Sequence, residues 1–164
     1  MKQLLLTVIA VIAFGAAQAQ HKSLDSIYNP SADARADLKA ALQKASMEKK
    51  HVLLQIGGNW CIWCKRLYKF VNDHPELAQA QENNYIVYHL NYSKENKNLD
   101  ILKELGFPQR FGFPVLVILD AKGNRLHTQN TGILESADSY DEKKILDMLR
   151  QWAPSALNPA LYTK

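Results

Sequence analysis

The sequence predicts an α/β fold in which a mixed central sheet is covered by helices on both faces. Three observations carry the prediction. His51 to Ile56 and Val115 to Leu119 are short, unbroken apolar runs, the length and composition of buried strands. Stretches with helical spacing of apolar residues lie between and around them, and Asp120 to Asn124 (DAKGN) is a turn that folds the last strands into a hairpin. Continuous rather than alternating apolar strands mean that both faces of the sheet are covered. With 164 residues, 47% hydrophobic and 22% charged, the chain is large enough for one domain with a real core.

Residues 1–19 stand outside this fold. Met1 to Gln3 give a short positive start, Leu4 to Phe14 is apolar except for Thr7, and Ala17-Gln18-Ala19 has the small-x-small pattern of a signal-peptide cleavage site. The apolar run falls short of the roughly 20 residues that span a bilayer, so a signal cut after Ala19 is expected, with no membrane insertion afterwards. The expected destination is periplasmic or secreted. Residues 20–30 read as an N-terminal extension, 31–153 as the domain and 154–164 as a C-terminal tail.

Within the domain, Ser31 to Lys50 reads as a helix with Ala34, Leu38, Ala41, Leu42 and Ala45 on one side. The strand His51 to Ile56 follows and ends at Gly57-Gly58. Trp63, Leu67, Phe70 and Val71 then mark a helix facing the core. Tyr85 to Tyr92, rich in aromatic and branched residues, reads as a strand. Leu99, Ile101, Leu102 and Leu105 make a short helix stopped by Gly106, with Pro108 beyond. After Val115 to Leu119 and its turn, Arg125 to Gln129 is the returning strand. Ser139 with Glu142 forms a capping box before a last helix whose core face is Ile145, Leu146, Met148, Leu149 and Trp152.

The two cysteines, Cys61 and Cys64, are too few and too close together for a structural staple, because the ring they close restrains little chain. They sit where strand turns into helix. Cys61 falls in the first helical turn, among unpaired backbone N–H groups and at the positive end of the helix dipole, which favour a thiolate. It is the candidate nucleophile, and Cys64, one turn further on, is placed to resolve a mixed disulfide.

Together the WCIWCK motif (Trp60 to Lys65), Gly112-Phe113-Pro114 leading into a strand, and the DAKGN turn followed by Gly132 make the chain resemble the thioredoxin-like superfamily, in particular its exported bacterial members. The resemblance runs from about His51 to Trp152. It implies a thioredoxin-like fold, a cis Pro114 beside the dithiol, and pairing of the Phe113 backbone with an extended substrate segment. It further implies a thiol–disulfide oxidoreductase that reduces, oxidises or isomerises protein disulfides and exchanges with a partner redox protein, as a monomer without a cofactor. Trp60, Trp63, Phe113 and Pro114 are the expected substrate-binding residues. Trp60 suits core packing as well as the rim, whereas the neighbours of Trp63 leave it near the rim. Gln55 and Lys65 are the expected modulators. Relatives often carry a buried acid where this chain has Gln55, an amide that hydrogen bonds but takes no proton. Ile62 and Trp63, between the cysteines, offer no side chain that stabilises a thiolate, so no extreme oxidant is expected.

Two other readings stay open at this level: a thioredoxin-fold binding or chaperone module with an incidental dithiol, and a metal carrier using both cysteines and a histidine. The net charge of +4 is scattered rather than clustered, which argues against nucleic acid. No second CxxC or close histidine pair supports a structural metal, and no GxSxG, HExxH or phosphate loop supports hydrolysis or nucleotide binding.

Overall fold

The computed structural model describes residues 23–163; the expected signal segment 1–19, the expected cut after Ala19, and residues 20–22 lie outside the described residues. Four strands form the main sheet: β1 (His51–Gly57), β2 (Tyr85–Asn91), β3 (Val115–Leu119) and β4 (Arg125–Asn130). Their order is β2-β1-β3-β4, with β1 parallel to β2 and antiparallel to β3, and β3 antiparallel to β4. The sheet is therefore mixed, as the sequence predicts.

Every residue of β1 and of β3 is buried, because helices cover both faces. Val52, Leu54 and Ile56 point into one layer, against Ala41 and Ala45 of α1 (Ala34–Glu48) and Ile101 and Leu102 of α4 (Leu99–Glu104). Leu53, Leu116 and Ile118 point into the other, against Leu67 and Val71 of α2 (Ile62–Asp73), Leu77 of α3 (Pro75–Asn84) and Ile145 and Leu149 of α5 (Glu142–Gln151). Gln55 lies on this second face of β1, the face on which α2 packs.

Local chemistry sets the boundaries. The Asp33 side chain accepts hydrogen bonds from the backbone N–H groups of Arg35 and Ala36, so α1 starts at Ala34 rather than at the expected Ser31. In the β3–β4 turn, Asp120 accepts from the N–H groups of Lys122 and Asn124, both at 2.9 Å, and Gly123 has φ +88°.

Three features depart from the sequence reading. Helix α3 was not expected; it buries only Leu77, so its sequence carries no apolar stripe. A small ladder, β5 (Glu135–Ser136) with β6 (Ser139–Tyr140), precedes α5. The N-cap of α5 is Asp141, whose carboxylate accepts from the Lys144 N–H at 3.0 Å, whereas Ser139 is held in β6 and cannot cap. Among the described residues no helix is long and apolar enough to cross a membrane.

The cap correction is testable. Asp141→Ala should cost about 1 kcal/mol in urea unfolding, the usual loss for a cap, while Ser139→Ala should stay within about 0.5 kcal/mol of wild type.

Candidate active site

Central strand β1 ends at Gly57, and α2 begins five residues later at Ile62. Cys61 is the N-cap of α2, one position earlier than expected, and its sulfur accepts the Cys64 N–H at 3.1 Å. Negative charge on this sulfur faces a backbone donor and the positive end of the helix. Cys61 and Cys64 are joined as a disulfide, with Cα atoms 5.3 Å apart. Cys64 is fully buried, and Cys61 shows only 6% of its surface because Ile27, Tyr28 and Phe113 pack around the pair.

The Phe113–Pro114 peptide is cis, as the resemblance implies; Pro114 is buried, and Phe113 packs against the two cysteines. The ring of Phe113 lies edge to face with Trp60 at 5.5 Å and against Tyr92 at 4.7 Å. The Trp60 indole N–H donates to the Tyr92 carbonyl at 2.7 Å, which fixes a ring that is 59% exposed. Trp60 is therefore at the rim, and only Trp63 departs from expectation. Trp63 is the half-buried one: its ring meets Tyr140 edge to face at 5.6 Å and carries the Arg66 guanidinium at 4.7 Å, so it braces α2. The outer ledge consists of Trp60, Phe113 and Tyr92, joined by Ile62, which lies between the cysteines and is 58% exposed.

Beneath the disulfide, buried Gln55 donates through Nε2 to the Tyr28 hydroxyl at 2.9 Å and to the Cys64 carbonyl at 3.2 Å. Tyr28 comes from the N-terminal extension and is almost fully buried. Asn59 clips that segment in place: its Oδ1 accepts from the Tyr28 N–H at 3.0 Å, and its Nδ2 donates to the Tyr28 carbonyl at 2.9 Å. Lys65 pairs with Asp25 of the same segment at 2.6 Å, and this hydrogen bond holds the Asp25 carboxyl below the usual carboxylate range. The sequence pointed to neither Tyr28 nor Asn59, since one tyrosine outside any periodic segment gives no signal. Gly57 is required by close approach: a Cβ there would stand 2.4 Å from the Cys64 sulfur and 3.0 Å from the Tyr28 hydroxyl. Among the described residues no three His, Cys, Asp or Glu side chains are grouped to hold a metal ion.

Two outcomes follow from this geometry. Iodoacetamide added to the reduced chain near neutral pH should modify Cys61 before Cys64, as read by peptide mass spectrometry. Gln55→Glu should lower stability by about 2–4 kcal/mol at pH 8, because the shared amide donor is lost and a carboxylate is buried against the Cys64 carbonyl. Burial raises the folded-state pKa of such an acid, so the loss should shrink as pH falls toward 4, where both folded and unfolded forms are protonated.

The family model described as thioredoxin-like matches residues 33–121. A thiol:disulfide interchange protein DsbD of Colwellia psychrerythraea is 25% identical over 122 residues, 73% of this chain and 19% of that protein. DsbD of Vibrio vulnificus is 29% identical over 102 residues, 62% of this chain and 17% of that protein. The chain therefore spans less than a fifth of the length of these curated relatives. Among solved structures, a disulphide isomerase from Xylella fastidiosa superposes with a TM-score of 0.67 at 26% identity, covering 76% of this chain and 94% of that one. The reduced C-terminal domain of Neisseria meningitidis DsbD gives 0.52 at 26% identity, covering 71% and 95%. A CxxC disulfide at a helix start, a cis Phe113–Pro114 peptide and these likenesses agree: the chain belongs to the thioredoxin-like family.

Proposed function

We propose that the chain works in an exported compartment as a protein-disulfide reductant, recharged by a partner redox protein. The observation that carries this reading is the unequal placement of the two sulfurs, with Cys61 at the helix start and narrowly open to the surface and Cys64 sealed behind it. The Cys61 thiolate attacks one sulfur of a substrate disulfide, forming a mixed disulfide and releasing the other sulfur as a thiolate. Cys64 then gives up its proton to that thiolate or to water and attacks the Cys61 sulfur. The substrate's second sulfur leaves as a thiolate and takes up a proton. Two electrons have passed to the substrate, and Cys61–Cys64 is left as the disulfide.

Direction is supported by what surrounds Cys61. A strongly oxidising disulfide needs a heavily stabilised reduced form, and here the Cys64 N–H is the donor to the Cys61 sulfur while Ile62 and Trp63 add no charge or hydroxyl. Export is supported by residues 1–19 and by the likeness to DsbD, from which protein partners are also inferred. Trp60 and Phe113 would receive the substrate chain, with buried Pro114 following Phe113, since an apolar ledge whose outermost ring is exposed suits docking next to a reactive group. Trp63 would act from behind, by bracing α2.

Cys64→Ser, expressed in the native host, should retain a partner protein covalently on Cys61; recovery of the variant with no protein attached by disulfide would overturn the reading. The exported form should begin at Gln20 by N-terminal sequencing. Trp60→Ala should slow reduction of a protein disulfide by about tenfold, as removal of an aromatic docking contact does, while leaving reduction of a small disulfide nearly unchanged.

A further inference from the structure

Resolution by Cys64 requires a negative charge on a sulfur with no exposed surface, and burial opposes that charge. No carboxylate stands at position 55 to assist. Something else must meet the charge, and the structure offers one group whose placement has no other evident use.

The hydroxyl of Tyr28 and the sulfur of Cys64 flank the same point beside Gly57, 3.0 Å and 2.4 Å from where a Cβ would stand. Glycine at this position is what lets both approach. The Gln55 amide donates to the phenol oxygen at 2.9 Å, which occupies a lone pair and leaves the phenol O–H as a donor. Asn59 binds both backbone groups of Tyr28, and the Lys65–Asp25 pair ties the same segment to α2 just after the motif. The segment is thus held to the motif at three places around one buried hydroxyl.

We propose that the Tyr28 O–H donates a hydrogen bond to the Cys64 thiolate formed during resolution, making Tyr28 a catalytic residue supplied by the N-terminal extension. The proton lost by Cys64 passes to the departing substrate thiolate or to water, and Tyr28 keeps its own. Burial pushes the phenol's ionisation well above its ordinary range, so it remains a donor at every pH at which the enzyme is folded and active. Among the described residues, the other titratable groups facing the pair are His89 of β2, edge-on to Tyr28 at 5.6 Å, Tyr68 of α2, which lies 5.5 Å from His89, and Tyr140 of β6. Gln55 then has a defined part as a positioning residue, since its amide orients the phenol by occupying the oxygen. This inference rests on the exchange reading above and deepens it.

The test reads Cys64 directly and needs no substrate. In the Cys61→Ser chain, the rate of Cys64 alkylation against pH gives a midpoint, and Tyr28→Phe in that background should raise it by about one pH unit or more, the scale of one hydrogen bond to a charged group. In the two-cysteine chain, Tyr28→Phe should slow release of the second substrate thiol at pH 7 by about tenfold and move the pH profile upward by the same amount. Site-specific 3-fluorotyrosine at position 28, a stronger donor of the same shape, should move the midpoint the other way. An unmoved midpoint in folded Tyr28→Phe overturns the proposal, as does a shift produced by His89→Asn and not by Tyr28→Phe. If Tyr28→Phe does not fold, the fluorinated chain decides, and absence of a downward shift overturns it. Failure of Cys64→Ser to capture a partner would sink the exchange reading and leave these midpoints unaffected, so the two failures are distinguishable.

Discussion

The packing of the Cys64 sulfur against the backbone of Gly57 is the contact on which the rest of the site depends. A helix can start this close to a strand end only if the strand presents no side chain, and a Cβ at Gly57 would stand 2.4 Å from that sulfur. Once α2 is seated at this height, Cys61 falls at its N-cap and Cys64 behind it, fully enclosed. The burial that makes the two sulfurs unequal is therefore a consequence of strand–helix packing rather than of the cysteines themselves. Leu67 and Val71, one and two turns further along α2, hold the helix at that height by packing into the core on the same face of the sheet.

Outside and inside, the site is built from different materials. The outer ledge is aromatic, with Phe113 and Tyr92 half-buried beneath an exposed Trp60, and the one polar group of Trp60 is spent on the Tyr92 carbonyl, which leaves the ring toward solvent. The floor is polar, yet each of its amides is engaged: Gln55 on Tyr28 and Cys64, Asn59 on both backbone groups of Tyr28. A buried polar cluster is stable only when its members are satisfied, and these bonds also fix where the N-terminal segment lies. Residues 23–30 are bonded into the site in this way, although they contribute no strand or helix.

Elements buried on two faces were legible in the sequence because their burial writes an unbroken apolar run, as in β1 and β3, and the cysteine motif was legible because its spacing is local. Helix α3 was not, since Pro75–Asn84 buries a single leucine and rests on neighbours whose positions depend on the whole fold. The α5 cap was misassigned for a related reason: Ser139 fits the local rule, but pairing with Ser136 removes it from the helix start and leaves Asp141 there. The surroundings of Trp60 and Trp63 reflect contacts with Tyr92, Phe113 and Tyr140, all distant in sequence. Tyr28 is the extreme case, because nothing within ten residues of it indicates that Asn59 and Gln55 will take hold of it.

The substitution of an amide for an acid beneath the dithiol changes the electrostatic character of the whole floor. A buried carboxylate would place a second charge next to any thiolate, and the two would raise each other's pKa and titrate as a pair. Gln55 removes that coupling. Asp25 does not restore it, because Lys65 neutralises it at the surface. Charge that develops on either sulfur is then met by dipoles: the Cys64 N–H toward Cys61, and the hydroxyl and amide groups gathered below Cys64. Dipoles that are already oriented need no reorganisation when the charge appears, and they cannot be titrated away across the working pH range. Such a floor trades a proton acceptor for fixed donors. It makes the orientation of Tyr28, and so the Asn59 clip that sets it, as important to the chemistry as the side chains between the cysteines.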